Sequence, residues 1–170
     1  VDNADTIDVM NTILGGSFTS RLNMNLREDK GYTYGAYSSI SSDELVGEFS
    51  AGASVRNEVT DSAIVQFNYE LNRLRNEPIT QEELNLAVSS ISGSFARSLE
   101  RPQTVASFAI NTARYNLPAD YYSTYLKRVQ AVTIADVQET AKKFIHPDKA
   151  YITVVGKASD IADKLTTFGE

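Results

Sequence analysis

Hydrophobic side chains recur at helical spacing along most of this chain and at period two along one short stretch. Ile7, Met10 and Leu14 lie three or four residues apart, with Val9 and Ile13 widening the stripe, which predicts a helix over 4–14. Gly15 and Gly16 interrupt it. Ser17 is placed to cap a second helix running to about Lys30, on which Phe18, Leu22 and Leu26 form one core-facing stripe. At about 100° per residue Arg27 lies away from that stripe, and Gly31 reads as the helix stop.

The period then changes. Tyr32, Thr33, Tyr34 and Tyr37 give an aromatic and β-branched strand that continues into serine-rich sequence up to Ser42. Tyr32 and Tyr34 fall on one face and Tyr37 on the other. Phe49, Ala51, Ala53 and Val55 alternate with Glu48, Ser50, Gly52 and Ser54, as in a half-buried strand over Val46–Val55. Turn residues over Ser41–Leu45 join the two as a hairpin.

Helical spacing returns with Ala63, Phe67, Leu71 and Leu74, predicting a helix over 59–76 that Pro78 ends. Thr80 to Glu83 is a capping box opening a helix to about Leu99. Further helices are predicted over 102–116, 120–129, from Thr133 to just before His146-Pro147, and 159–165. Tyr151–Val155 reads as a short apolar strand. The expected fold is α+β, a mainly antiparallel sheet with helices packed on one face. Three strands are few for this much helix, which predicts a further strand upstream of Val1.

Composition narrows the function. The chain has 170 residues with no internal repeat and no Pro/Gly-rich linker, so a single domain over 1–170 is expected. A net charge of -6 argues against nucleic acid as partner. No run of 18 apolar residues predicts a membrane-spanning segment. Cysteine is absent and His146 is the only histidine, so this chain is expected to bind no metal and to lack a self-contained hydrolytic centre.

Four features carry candidate chemistry. His146 reads as a lone base or as a loop histidine. The adjacent acids Glu28-Asp29, Asp43-Glu44 and Glu82-Glu83 point in different directions on any regular element, and Glu82 and Glu83 suit a helix N-terminus. Gly15-Gly16-Ser17 is either an anion-binding turn or a tight helix-helix corner. Arg27, Tyr32 and Tyr34 can all donate to a peptide carbonyl or a developing oxyanion, or serve as a surface arginine and core tyrosines.

Two motifs connect these features. Leu14-Gly15-Gly16-Ser17-Phe18-Thr19-Ser20-Arg21-Leu22, followed by Leu26-Arg27-Glu28-Asp29-Lys30-Gly31-Tyr32-Thr33-Tyr34, resembles the C-terminal-type domain of the M16 zinc metallopeptidases, the pitrilysin and mitochondrial-processing-peptidase group. The family pattern is LGG-x-x-x-SRL and then LRE-x-x-G-x-x-Y. The resemblance implies a two-layer α+β repeat from a larger chain. It also implies that zinc sits elsewhere, in a domain or subunit with the H-x-x-E-H motif that this chain lacks. By the motif, Arg27 and Tyr34 would bind peptide substrate and stabilise the oxyanion, with Tyr32 in reserve. The implied partners are the zinc-bearing M16 domain or subunit and a peptide. A catalytically silent scaffold or interaction domain of the same fold is the alternative. The compartment stays open, with the bacterial cell envelope or periplasm as a candidate.

Overall fold

The structure, a computed structural model, describes residues 3–42 and 47–169. The middle of the expected Ser41–Leu45 turn and the Asp43-Glu44 pair lie outside the described residues. Helix α1 (Ala4–Asn11) continues into a π-helical turn (Thr12–Gly16), and a second π-helical segment spans Asn23–Asp29. Strands β1 (Thr33–Ser42) and β2 (Gly47–Val55) pair antiparallel. A 3-10 turn (Asn57–Val59) leads into α2 (Thr60–Asn76). Then come α3 (Gln81–Ser98), α4 (Pro102–Arg114), α5 (Tyr125–Gln130), α6 (Ile134–Phe144) and α7 (Ala158–Leu165).

This is the expected α+β arrangement: mostly helix, with an antiparallel hairpin covered on one face. Ala36, Ser38 and Ile40 of β1 stand opposite Ala53, Ala51 and Phe49 of β2. Apart from Ser38, whose hydroxyl donates to Asn11 Oδ1 at 2.8 Å, these positions pack on a core built from Met10, Leu14, Leu22, Leu26, Leu74 and Ile145. The other face of the hairpin carries Tyr37, Ser39 and Ser54, all exposed. The predicted capping box at Thr80 forms, and the predicted helix start at Thr133 is a second one. Thr80 Oγ1 accepts the Glu83 amide at 3.1 Å and Glu83 returns the bond to the Thr80 amide at 2.8 Å; Thr133 and Asp136 do the same at α6.

Four local expectations are corrected. Ser17 caps nothing: residues 17–20 form a turn in which the Ser17 carbonyl accepts the Ser20 amide, and the helical segment begins after it. Phe18 therefore lies outside the Leu22/Leu26 stripe and is 66% exposed. The stretch 120–129 is helical only from Tyr125, because Ser123 and Thr124 hydroxyls donate to the Asp120 carbonyl and hold a turn. Tyr151–Val155 pairs with no described strand, and Tyr151 and Val155 are fully exposed; apolar composition alone cannot make a strand without a neighbour to satisfy its backbone.

Gly15 and Gly16 end the first helical segment where the chain corners toward the second, and Gly15 is buried there against β1. A Cβ there would strike the Ser38 amide nitrogen and come within 2.6 Å of the Ser38 hydroxyl and 2.8 Å of the Tyr37 carbonyl carbon. Gly15 thus lets the helical turn touch a strand backbone directly.

Candidate functional site

Arg27 and Tyr34 stand on two sides of one chain reversal. The π-helical segment ends at Asp29, and the chain turns at Gly31, whose φ of 62° is the left-handed conformation that glycine adopts freely. The Gly31 amide donates to the Arg27 carbonyl at 3.1 Å, and the Tyr32 amide to the Leu26 carbonyl at 2.8 Å. Tyr34 is three residues beyond Gly31, a span of at most about 11 Å of chain. The reversal thus keeps both side chains at the same end of the hairpin. No hydrogen bond joins them among the described residues.

A bulge sets the direction of Tyr34. Thr33 stands opposite Val55 and Ala36 opposite Ala53, so β1 holds one more residue than β2 in this interval. The Thr33 hydroxyl supports it: its oxygen lies 2.8 Å from both the Gly35 and the Ser54 carbonyl oxygens, to either of which its one proton can be donated, and it accepts the Gly35 amide at 3.1 Å. The extra residue reverses the phase of the strand. Tyr34 falls on the uncovered face with Tyr37 and is fully exposed, while Tyr32 packs against the core. The expectation that Tyr32 and Tyr34 share a face, with Tyr37 opposite, is corrected: period two holds only where no bulge intervenes.

Arg27 is also set differently from expectation. Its guanidinium carbon lies 4.0 Å from the centroid of the Phe18 ring, and Nη1 reaches Glu28 Oε1 at 3.5 Å. Because Phe18 is in the preceding turn and not in the core, its ring forms a surface shelf under the guanidinium. Its side chain keeps about a third of its surface accessible, so it can still donate outward.

Asn23 ties the two halves together. It is 8% exposed; its Oδ1 accepts the Ala36 amide at 2.9 Å, and its Nδ2 donates to the Ser17 carbonyl and the Ser20 hydroxyl. The bond to Ala36 sits immediately after the bulge. Behind it Arg21, 6% exposed, grips Glu83 through Nε at 2.6 Å and Nη2 at 3.0 Å. Burial by itself would raise the Glu83 carboxyl, but the Arg21 guanidinium and the Thr80 bonds outweigh it and hold it below the ordinary range. The Glu82-Glu83 pair therefore takes the structural of its two readings.

Sequence reasoning passed over Asn23 and Arg56. Arg56 Nη1 donates to the Gly31 carbonyl at 3.1 Å, adding a second guanidinium beside the reversal. Its place directly after Val55, at the hairpin end opposite Thr33, was the available signal. His146 stays apart: exposed, with Nε2 3.0 Å from the Lys143 carbonyl. The residues of this chain do not fit a zinc site, with one histidine, no cysteine and, among the described residues, no cluster of three His, Asp or Glu. Among the described residues no helix is long and apolar enough to cross a membrane.

The chain is similar to known proteins in both sequence and fold. Residues 2–91, more than half of the chain, match the family described as the peptidase M16 inactive domain. An uncharacterized zinc protease of Bacillus subtilis, YmxG, is 35% identical over 96 residues, 54% of this chain and 22% of the relative. One from Streptomyces coelicolor is 33% identical over 92 residues, 54% of this chain and 20% of the relative. The matched stretch thus spans about a fifth of the length of each. The crystal structure of a peptidase M16 inactive domain from Pseudomonas fluorescens superposes with a TM-score of 0.81 at 26% identity, covering 88% of this chain and 36% of the other.

Proposed function

The chain belongs to the peptidase M16 inactive-domain family, and on that premise we propose that it supplies Arg27 and Tyr34 to the substrate chamber of a zinc peptidase whose metal is carried by a separate domain or subunit. The observation that carries this is the bulge. It places the Tyr34 hydroxyl wholly in solvent on the uncovered face of the hairpin, at the end where Arg27 emerges. A tyrosine hydroxyl that serves packing is normally in contact with protein; this one is free to meet a partner or a peptide.

In this reading residues 1–170 are one domain of a larger peptidase, and zinc in the partner supplies the activated water. The two donors here act on the other side of the peptide. Arg27, kept in place by the Phe18 ring, orients the scissile carbonyl, and Tyr34 donates to its oxygen as negative charge develops. Such donors act most strongly once the chamber closes and excludes water.

The second reading is a silent scaffold that only closes the chamber. The Arg27–Glu28 pair favours it, since it occupies part of the guanidinium. The test is peptide turnover by the chain reconstituted with its zinc-bearing half. Arg27→Ala or Tyr34→Phe is expected to lower kcat by about a hundred- to a thousandfold, the usual effect of losing one oxyanion donor, while Tyr32→Phe is milder. Near-normal turnover in both variants would demote the chain to scaffold, and a large effect from Tyr32 alone would transfer the role to that residue.

A further inference from the structure

On the helical side, α1, α3, α4 and the turn before α5 flank an open groove of about 570 Å³. Five aromatic rings form an arc along it. Tyr121 meets Tyr122 with ring centroids 5.1 Å apart, Tyr122 stacks on Phe108 at 3.8 Å, Phe108 on Phe95 at 5.9 Å, and Phe95 meets Tyr125 at 4.9 Å. Among the residues lining the groove the one charged side chain is Asp8, a carboxylate.

The neighbouring structure shows what such a wall holds. Asp5 and Arg128 pair at 2.6 Å, and the Arg128 guanidinium carbon lies 4.4 Å from the Tyr121 ring centroid. A carboxylate on α1 and a tyrosine next to α5 thus already hold a guanidinium between charge and ring. One turn further along α1, and at the start of α5, the same two residue types recur. Asp8 follows Asp5 by three residues and Tyr125 follows Tyr121 by four. The Tyr125 hydroxyl donates to Asp8 Oδ2 at 3.2 Å. Burial, and then the Asp8 charge, push the Tyr125 phenol above its ordinary range, so it remains the donor in that bond. Among the described residues no basic side chain pairs with Asp8.

We propose that this groove is a binding site for the basic side chain, arginine or lysine, of a polypeptide, with Asp8 as counter-charge and the Phe95, Phe108, Tyr122 and Tyr125 rings as its wall. The Asp8 carboxylate supplies the charge that fixes a cation, and the stacked rings beside it offer apolar surface to its stem; the Tyr125 ring already lies 6.0 Å from the Arg128 guanidinium carbon. The chain's net charge of -6 favours approach of a basic segment. The site is separate from the Arg27/Tyr34 end of the hairpin and does not depend on the role proposed for that pair.

The test uses the 170-residue chain alone, with acetyl-Ala-Arg-Ala-amide as probe and ring-proton NMR of the five aromatics as readout. The peptide is expected to shift the Phe95, Phe108 and Tyr125 signals. Its norleucine counterpart, with the aliphatic stem but no charge, should bind at least about tenfold more weakly, and Asp8→Asn should weaken the arginine peptide by about tenfold, the usual scale for one charge-assisted bond. Tyr122→Leu, which keeps bulk and removes the ring face, should weaken it severalfold with the amide spectrum otherwise preserved. Equal binding of the norleucine peptide, unchanged binding to Asp8→Asn, or shifts confined to other rings would overturn the proposal. Tighter binding of agmatine than of the capped arginine peptide would overturn the polypeptide assignment in favour of a free polyamine.

Discussion

The Asn23 side-chain oxygen accepts the Ala36 amide at 2.9 Å, and this bond ties the helical segment that carries Arg27 to the strand that carries Tyr34. The amide it satisfies lies directly after the bulge. Asn23→Ala would leave the buried Ala36 N–H and the Ser17 carbonyl without this partner. The expected cost is about 2 kcal/mol, read as a lower Tm. With the zinc-bearing half present, turnover should fall further than the stability loss explains, because the bulge that aims Tyr34 loses its anchor. A variant with wild-type Tm would show that water or a neighbour replaces the bond.

Phe18 is the shelf under Arg27. Since the ring is 66% exposed, Phe18→Ala should change stability by about 1 kcal/mol or less. Loss of the ring–guanidinium contact, about 0.5–1 kcal/mol at an exposed site, should cost about two- to fivefold in kcat/KM for peptide. A core role for Phe18 would instead appear as a large drop in Tm.

The Arg21–Glu83 pair makes stability acid-sensitive. The folded Glu83 pKa is depressed, so its contribution is fully present above the unfolded value of about 4.3 and is lost as pH falls through the lower folded value. Glu83→Gln removes the charge at every pH and leaves the buried Arg21 guanidinium without its anion, at an expected cost of about 3 kcal/mol near neutrality. Urea unfolding of both proteins between pH 2 and 7 should show the difference shrinking in acid. A pH-independent difference would place the effect in packing alone.

Gly15 and Gly35 provide a paired test of close approach. Gly15→Ala drives a methyl into the Ser38 and Tyr37 backbone, whereas a Cβ at Gly35 meets only the Asn23 side-chain oxygen, at 3.9 Å. Gly15→Ala should destabilise by about 2 kcal/mol or more through overpacking, and Gly35→Ala by well under 1 kcal/mol. Equal Tm values for the two variants would mean that the helix-strand contact gives way without cost.

Local order was legible because it depends on neighbours in sequence. Helical spacing located most of the helices, the alternation Phe49, Ala51, Ala53, Val55 located β2, and Thr80 with Glu83 and Thr133 with Asp136 marked two helix starts to the residue. The two motifs identified the family, and with it Arg27 and Tyr34 as residues of interest. Direction and partnership were not legible. One extra residue between Thr33 and Ala36 turns Tyr34 outward and aligns it with Tyr37, and no period-two reading can register a bulge that is flanked by a bond from Asn23, thirteen residues before Ala36. A turn in place of a first helical turn moved Phe18 from the core to a surface contact with Arg27. Tyr151–Val155 has the composition of a strand, yet pairing requires a neighbour that composition does not supply. The five rings beside Asp8 come from three separate segments, so only packing of α1, α3, α4 and α5 could bring them together. Sequence by itself determined the elements and the family, since these follow from propensity and motif. Tertiary structure decided which side chains face solvent, which face each other and which line a groove, since burial and hydrogen bonding depend on residues distant along the chain.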